Sequence, residues 1–260
     1  MTHPIRIGVG LAQQHVDMKT IRKAAVEAEE MGVDAIFNWD HFYPLFGPPD
    51  GQHFECWTML GAWAEVTERV EFGALVTCNS YRNPDLLADM ARTVDHISNG
   101  RLIFGIGAGW FQRDYDEYGY DFATPGKRLA DLREALPRIK SRWENLNPAP
   151  TRDIPILIGG GGEKKTLRYT AEYAQIWHGF GTADVIKHKN QVLDAHCADI
   201  GRDPSEIERS VGAKPERPES GDALVEAGAT FITLGIDGQG GYDLAPVVDW
   251  LGWRDERNVG

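Results

Sequence analysis

Two side chains suited to acid–base chemistry stand together just beyond a short apolar run. Asp40 and His41 follow the run at positions 35–37, and further aromatic residues come directly after them. An imidazole, with an ordinary pKa of about 6.5, can give or take a proton near neutral pH. An isolated Asp-His pair is more often a helix cap beside a surface histidine. Their place at the end of a predicted strand favours a functional role, and we predict that His41 is catalytic.

The segment GIGAGW, from Gly105 to Trp110, places three alternating glycines at the end of another apolar run. It does not match a dinucleotide-binding fingerprint, because Trp110 occupies the position of the third glycine. Alternating glycines remove side chains, so a flat group could lie against the backbone here. Tight packing between a strand and a helix is the alternative interpretation.

A second glycine-rich segment, GGGGEKKT, spans positions 159–166 and precedes a predicted helix. It lacks the Gly-Lys-Ser/Thr ending of a nucleotide-binding P-loop. Glycines that lead into a helix N-terminus expose backbone N–H groups, and the helix dipole favours an anion there. Lys164 and Lys165 add positive charge. We predict a phosphate site, with a flexible connection as the alternative.

Other functional classes find little support in the sequence. His53 and Cys56 have a spacing that suits a metal site, but two ligands without further partners do not make one, so we predict no metal. No Gly-x-Ser-x-Gly nucleophile motif occurs. With 27 Lys and Arg against 39 Asp and Glu, the formal net charge of −12 disfavours nucleic acids and anionic membranes as partners. A small-molecule substrate is expected instead.

The cysteine content and the N-terminus indicate the compartment. The three cysteines are too few and odd in number for a disulfide framework, which favours a reducing environment. The first ten residues show no signal-peptide pattern, and no apolar stretch is long enough to span a membrane. A cytoplasmic protein is therefore expected.

The elements that position these residues alternate regularly between strand and helix. Apolar runs predict strands at Ile5–Gly10, Ala35–Trp39, Val70–Val76, Leu102–Ile106, Ile154–Ile158, Gln175–His178, Ile207–Val211 and Phe231–Leu234. A helix is predicted after each, and a polar loop between Ile106 and the helix at about Lys127–Trp143. Eight such units in 260 residues predict an α/β fold, a single (β/α)8 TIM barrel formed by one domain, residues 1–260. A doubly wound open sheet is the structural rival. In a barrel, the polar residues at the strand ends gather on one rim.

Three longer segments resemble the luciferase-like monooxygenase family of flavin and deazaflavin oxidoreductases. They are FNWDHF, the stretch from GALVTCNSYRNPDLL to GIGAGWFQRDYDEYG, and IPILIGGGGEKKTLRYTAEYAQIW. Asp-His-Phe after the second strand and four glycines before a helix are most similar to the branch that uses the deazaflavin coenzyme F420. The resemblance implies a (β/α)8 barrel and hydride transfer between F420 and a small organic substrate.

The same resemblance implies roles for particular residues. His41 would lie near the reactive carbon, and Asp40 would contact the deazaflavin or its support. Residues 74–77 would form a bulge behind the ring, with a non-prolyl cis peptide placed at Ala74–Leu75. The cofactor-binding residues implied are Asp40, Ala74, Leu75, Thr77, Gly107, Ala108, Gly109, Gly160, Gly161 and Gly162. Because strand side chains alternate, Asp40 is not expected to be the charge partner of His41.

The sequence also departs from part of that branch. Its sugar-phosphate dehydrogenases place a Trp and a Glu where Leu45 and Trp110 stand here, so glucose 6-phosphate is not the expected substrate. Two alternatives stay open: an FMN-dependent monooxygenase working with a separate flavin reductase, and a non-catalytic cofactor-binding barrel. Relatives in the family are often dimers, which implies a homodimer.

Overall fold

Parallel strands close into a barrel in the computed structural model, which describes residues 3–259. The predicted domain, 1–260, also includes Met1, Thr2 and Gly260, which lie outside the described residues. The strands are β1 Arg6–Leu11, β2 Ala35–Asn38, β3 Glu71–Ala74, β4 Thr77–Cys78, β5 Leu102–Gly107, β6 Ile156–Gly159, β7 Ile176–Gly179, β8 Glu208–Ala213 and β9 Phe231–Ile236.

The order of the strands confirms the predicted (β/α)8 barrel. Neighbours pair in the order β3, β2, β1, β9, β8, β7, β6, β5, and the contact of Phe72 in β3 with Leu102 in β5 closes the ring. The two-residue strand β4 shares a barrel position with β3, because it pairs with the far end of β5. Eight strand positions therefore surround one axis.

Helices cover the outside of the barrel. They are α1 Met18–Met31, α2 Cys56–Val66, α3 Pro84–Ile97, α4 Gln112–Tyr118, α5 Pro125–Asn145, α6 Thr166–Tyr173, α7 Ala183–Asp199, α8 Gly221–Glu226 and α9 Ala245–Asn258. Among residues 3–259, none of these helices has the length and apolar character needed to cross a membrane.

Local signals in the sequence set the helix boundaries. The Asp17 side chain accepts a hydrogen bond from Thr20 N at the start of α1, and Gly32, with φ 94°, ends it. The helix predicted from His53 begins instead at Cys56, because the Glu55 carboxylate caps the N–H groups of Trp57 and Thr58. These caps satisfy backbone donors that would otherwise lack partners.

Two further stretches contain more helix than predicted. Residues 112–118, expected to be a polar loop, form α4, which ends at Gly119 with φ 70°. Helix α9 continues to Asn258 rather than ending at Leu251, because Trp250 and Trp253 keep one face of it buried. In both cases the apolar or aromatic residues that fix the helix are too few for a clear period of 3.6.

Alternate residues of the strands fill the barrel interior. This inner core consists of Ala35, Phe37, Ile103, Leu157, Ile176 and Phe231, with Leu75 and Val76 packed against it. Because strand side chains alternate, residues two positions further along face the same interior, closer to the carboxyl rim. His178, two residues after Ile176, is one of these.

Candidate active site

A break in the third barrel position shapes the carboxyl rim. The predicted strand 70–76 pairs only as far as Ala74, and pairing resumes at Thr77. Leu75 and Val76 form the intervening bulge, as the family resemblance implies. The cis peptide joins Leu75 to Val76, so its expected position at Ala74–Leu75 was wrong by one residue.

The glycines of β5 and β6 make room for this bulge. A Cβ on Gly107 would lie 2.8 Å from Val76 Cγ2, and one on Gly159 would lie 2.9 Å from Val76 Cγ1. Gly105 faces the Ala74 carbonyl oxygen too closely to accept a side chain. Close packing within the protein therefore accounts for Gly105 and Gly107. Leu75, by contrast, faces a cavity at the barrel mouth.

Gly109 has a different steric reason. Its φ is 78°, which favours glycine, and a Cβ there would collide with the Tyr115 hydroxyl and lie 2.5 Å from Cys78 Sγ. Ala108 is partly exposed beside it, and the Trp110 side chain is 63% exposed. Contact of Gly107, Ala108 or Gly109 with a cofactor stays a prediction.

His41 is held by a buried carboxylate from α4. Its Nδ1 lies 2.7 Å from Asp114 Oδ2. The Tyr81 hydroxyl donates to Asp114 Oδ2 at 2.9 Å, and Phe42 N donates to Oδ1 at 3.1 Å. Asp114 is fully buried, so these donors are the groups that compensate its charge. An ionised carboxylate here keeps a proton on Nδ1 and leaves Nε2 for other chemistry.

The sequence did not reveal Asp114 as a site residue. It lies 73 residues beyond His41 in the segment predicted to be a loop. The available signal was a carboxylate among aromatic residues just after a strand end. That signal locates a residue on the rim, but it does not identify its partner.

Asp40 turns away from His41 and joins a second buried network. Arg82 donates two hydrogen bonds to its carboxylate, of 2.6 and 3.1 Å, and Cys78 N donates a third of 3.0 Å. Arg82 also donates to Glu55 at 2.6 Å. Burial raises the pKa of the Asp40 carboxyl, and the Arg82 guanidinium opposes this shift. Asp40 and His41 therefore have separate partners, as strand alternation predicts.

The Asp40 network fixes the exit from the bulge. Cys78 follows the bulge by two residues, so its N–H bond to Asp40 ties the end of β2 to β4. Thr77 lies between the bulge and Cys78. It is buried, and its hydroxyl has no partner within residues 3–259. A buried hydroxyl without a partner is a natural contact for a bound polar group. Thr77 does not line the cavity at the barrel mouth, and its cofactor-binding role stays a prediction.

The glycine loop is anchored at one end and open at the other. Gly160, with φ 127°, donates to the His178 carbonyl at 3.0 Å and accepts from Trp177 Nε1 at 2.9 Å. Gly161 and Gly162 are exposed and lead into α6, whose N-cap residue Lys165 provides no side-chain cap. The exposed N–H groups and the adjacent lysines fit an anion such as phosphate.

His53 and Cys56, considered above as metal ligands, contact other groups. His53 Nε2 accepts from Trp39 Nε1 at 3.2 Å, and Cys56 Sγ donates to Asn38 Oδ1 at 3.2 Å. Burial lowers the pKa of His53 to about 4, which keeps the imidazole neutral as an acceptor. Both residues thus hold side chains at the end of β2 by hydrogen bonds, His53 that of Trp39 and Cys56 that of Asn38.

A cavity of about 810 Å³ opens at the carboxyl end of the barrel. Its wall includes Leu75 of the bulge and Trp39 of the β2 end, and its floor lies over β1, β7, β8 and β9. The sequence assigned no site residue in the last third of the chain. Residues that face the barrel interior alternate along a strand, so they can be identified there only once the bounds of β8 and β9 are known.

The comparisons with known proteins agree with this geometry. Residues 1–232 match the family model described as luciferase-like monooxygenase. An F420-dependent glucose-6-phosphate dehydrogenase of Amycolatopsis mediterranei is 29% identical over 177 residues, which cover 61% of this chain and 52% of that protein.

Two solved structures show the same fold at low sequence identity. An F420-dependent secondary alcohol dehydrogenase in complex with an F420–acetone adduct has a TM-score of 0.85 at 17% identity, over 96% of this chain and 97% of that one. An FMN complex of the oxygenating constituent of 3,6-diketocamphane monooxygenase, from Pseudomonas putida, has a TM-score of 0.67 at 17% identity, over 82% and 67%. Since the family model matches most of its length, the chain belongs to the luciferase-like monooxygenase family and is an oxidoreductase.

Proposed function

We propose that the protein catalyses hydride transfer between the deazaflavin coenzyme F420 and a small organic substrate. The observation that carries this proposal is the His41–Asp114 pair. A buried carboxylate holds Nδ1 of an imidazole on the barrel rim, and among residues 3–259 the hydrogen bonds of this ring involve only Nδ1. Nε2 can therefore exchange a proton with a substrate hydroxyl or carbonyl oxygen.

The residues that would hold the coenzyme follow from the rim geometry. Leu75 would contact its ring system, Thr77 would support the bulge from behind, and Asp40 would act through the backbone of Cys78. Gly161 and Gly162 would bind its phosphate through their N–H groups, and Gly160, whose own N–H donates to the His178 carbonyl, would hold the loop in place. When bound, F420 would supply the ring carbon that exchanges a hydride with the substrate. The protein's own part is to orient both molecules and to move the matching proton.

The FMN-dependent monooxygenase is the second candidate. It is favoured by the fold shared with the FMN-bound oxygenating constituent. The F420-dependent dehydrogenase supports the first candidate with a higher sequence identity, 29% against 17%. A phosphate loop serves either coenzyme, so the loop itself does not separate the two.

Cofactor titration tests the choice directly. The protein is titrated against F420 and, separately, against FMN, and the fluorescence of each coenzyme is followed. We expect saturable quenching of F420 and at least tenfold weaker binding of FMN. Tight FMN binding without F420 binding would favour the monooxygenase, whose check is oxygen uptake with a flavin reductase. Binding of neither coenzyme would overturn both candidates.

Three broader expectations from the sequence also stay proposals. They are the single-domain organisation, the cytoplasmic location and the homodimer. Light scattering at micromolar concentration tests the dimer, and a monomeric mass would contradict it.

A further inference from the structure

The cavity contains a second imidazole that the proposed chemistry at His41 does not use. His178 lies on β7, is 2% exposed and borders the cavity. Its Nδ1 lies 2.9 Å from Ser210 Oγ on the neighbouring strand β8. Its Nε2 is buried and has no hydrogen-bond partner within the described residues. A buried polar atom without a partner destabilises the fold, and a ligand that hydrogen-bonds to it would remove this penalty.

The surroundings of His178 are mostly apolar. Apolar side chains around the cavity are Phe37, Leu75, Phe180, Ala213 and Leu224. Two other buried polar side chains of its wall are already engaged, Asn38 with Cys56 and the Thr233 hydroxyl with the Val211 carbonyl, whereas Lys214 and Arg217 are exposed. Within the described wall, Nε2 of His178 is therefore the buried polar atom still available to a ligand.

Glycines on the strand ends give the cavity its depth. Gly10 and Gly235 line it, and a Cβ added to Gly235 would meet no atom within 4 Å. The Phe180 ring, 74% exposed, packs over Gly212 and lies edge-on to His178 at 4.8 Å. Gly10, Gly235 and His178 thus border the same cavity.

We propose that His178 is a substrate-binding residue, and that the cavity takes a mainly apolar molecule whose hydroxyl or carbonyl oxygen hydrogen-bonds to Nε2. This proposal deepens the oxidoreductase function above and rests on it for the identification of the ligand as a substrate. The carbon that carries this oxygen would be the one oxidised or reduced: the hydride would pass between that carbon and the coenzyme, and the matching proton between the oxygen and His41.

The pairing with Ser210 suits both redox forms of such a substrate. A serine hydroxyl can accept from Nδ1–H, which leaves Nε2 to accept a hydrogen bond from an alcohol. It can also donate to Nδ1, which places a proton on Nε2 for a carbonyl oxygen. Burial lowers the pKa of His178 to about 3, so the ring is neutral in both cases. Asp114, an acceptor only, gives His41 no such choice.

The test uses the whole protein without coenzyme and three probes of one shape: cyclohexanone, cyclohexanol and methylenecyclohexane. Nitrogen-15 NMR of labelled histidine rings follows each titration. We expect the ketone and the alcohol to shift the His178 Nε2 resonance saturably, and the alkene to bind at least fivefold more weakly. Equal affinity for all three probes would overturn the proposal.

Variants separate the hydrogen bond from the shape of the cavity. His178→Phe should reduce ketone affinity at least fivefold and leave alkene affinity within twofold. Gly235→Leu should weaken all three probes together, and Gly252→Leu, on the exposed face of α9, should change none. An unchanged ketone-to-alkene ratio in His178→Phe would contradict the proposal, provided that its thermal unfolding matches that of the parent.

Addition of F420 then separates this proposal from the function on which it rests. Simultaneous binding of F420 and cyclohexanone is expected. Displacement of the ketone by F420 would assign the pocket to the coenzyme and overturn the substrate role. If F420 does not bind while the ketone still contacts His178, the proposed function fails but the ligand site at His178 stands.

Discussion

Asp114 Oδ2 lies 2.7 Å from Nδ1 of His41, although 73 residues separate the two along the chain. Helix α4 brings the carboxylate to the rim, where the Tyr81 hydroxyl and Phe42 N also donate hydrogen bonds to it. The arrangement resembles a carboxylate–histidine pair in which the acid fixes the ring and its tautomer. Catalytic function should therefore depend on both residues, in different ways.

His41→Ala should lower turnover by about 10²–10⁴-fold, because a positioned acid–base group is lost. F420 affinity should stay within a few-fold. Single-turnover kinetics with a substrate alcohol or ketone measure the first effect, and fluorescence titration measures the second. Loss of F420 binding in this variant would instead make His41 a cofactor-binding residue.

Asp114→Asn should lower turnover at least tenfold while His41 is still present, because an amide no longer requires a proton on Nδ1. Nitrogen-15 NMR of the His41 ring should show a changed tautomer, which a purely structural role would not produce. Asp116→Asn, on the exposed side of the same helix, is the matched control. Parent-like turnover and an unchanged tautomer in Asp114→Asn would contradict the assignment.

Asp40→Ala should weaken F420 binding, because Cys78 N loses the acceptor that fixes the end of the bulge.

Arg82→Met should destabilise the fold by about 3–5 kcal/mol, since it leaves Asp40 buried without its charge partner. Adding Asp40→Asn to Arg82→Met should recover part of that loss. Urea unfolding of the single and double variants measures the coupling, and strictly additive losses would exclude it.

Gly161→Val should weaken F420 binding, because the side chain would cover the exposed N–H groups of the loop. The fold should tolerate it, since a Cβ at Gly161 meets only Lys189 Cε, at 3.7 Å. Gly252→Val is a control away from the rim. Fluorescence titration checks the affinity, and parent-like binding would remove the phosphate from this loop.

Gly107→Ala should destabilise the protein by about 1–3 kcal/mol, because the new methyl group presses on Val76. Val76→Ala in the same chain should relieve part of that strain. Denaturant unfolding of the two single variants and the double variant gives the interaction energy. Independent effects would mean that Val76 does not occupy the space left by Gly107.

Acid should destabilise the protein partly through His178. The unfolded chain protonates this imidazole below about pH 6.5, whereas burial lowers the folded-state pKa to about 3. The free energy of unfolding should therefore fall by about 1.4 kcal/mol per pH unit from this residue as the pH drops from 6 to 4. His178→Gln should show a correspondingly shallower decline in urea unfolding. Parallel pH profiles for the two proteins would refute this origin.

Much of the fold could be predicted from the chain. The apolar strand runs gave the barrel, and α1 and α6 were predicted with their observed limits, since clear periodicity or turn signals bound them. Helix α4 was missed because seven residues hold too few apolar positions to show a period. The break at Leu75–Val76 is invisible to hydropathy, because both residues are apolar.

The candidate site was predictable only in part. Strand-end position identified Asp40, His41 and the glycine loop, but it could not reveal that Arg82 and Asp114 are their partners, because such pairs form across distant segments. The alternating glycines illustrate a second limit. Gly107 suggested space for a flat ligand, and the structure fills that space with Val76.

Gly235 borders open space in the cavity at the barrel mouth. The bulge, the Asp40 network and the glycine loop lie on β2 to β6, whereas Gly235 and His178 lie on β9 and β7. A Cβ at Gly235 would meet no atom within 4 Å, and Leu75 is the residue of the first group that borders the same cavity. If the cavity binds the substrate as proposed, single substitutions at Gly235 should alter substrate preference in evolving lineages and in engineered variants, while the proposed coenzyme-binding residues stay the same.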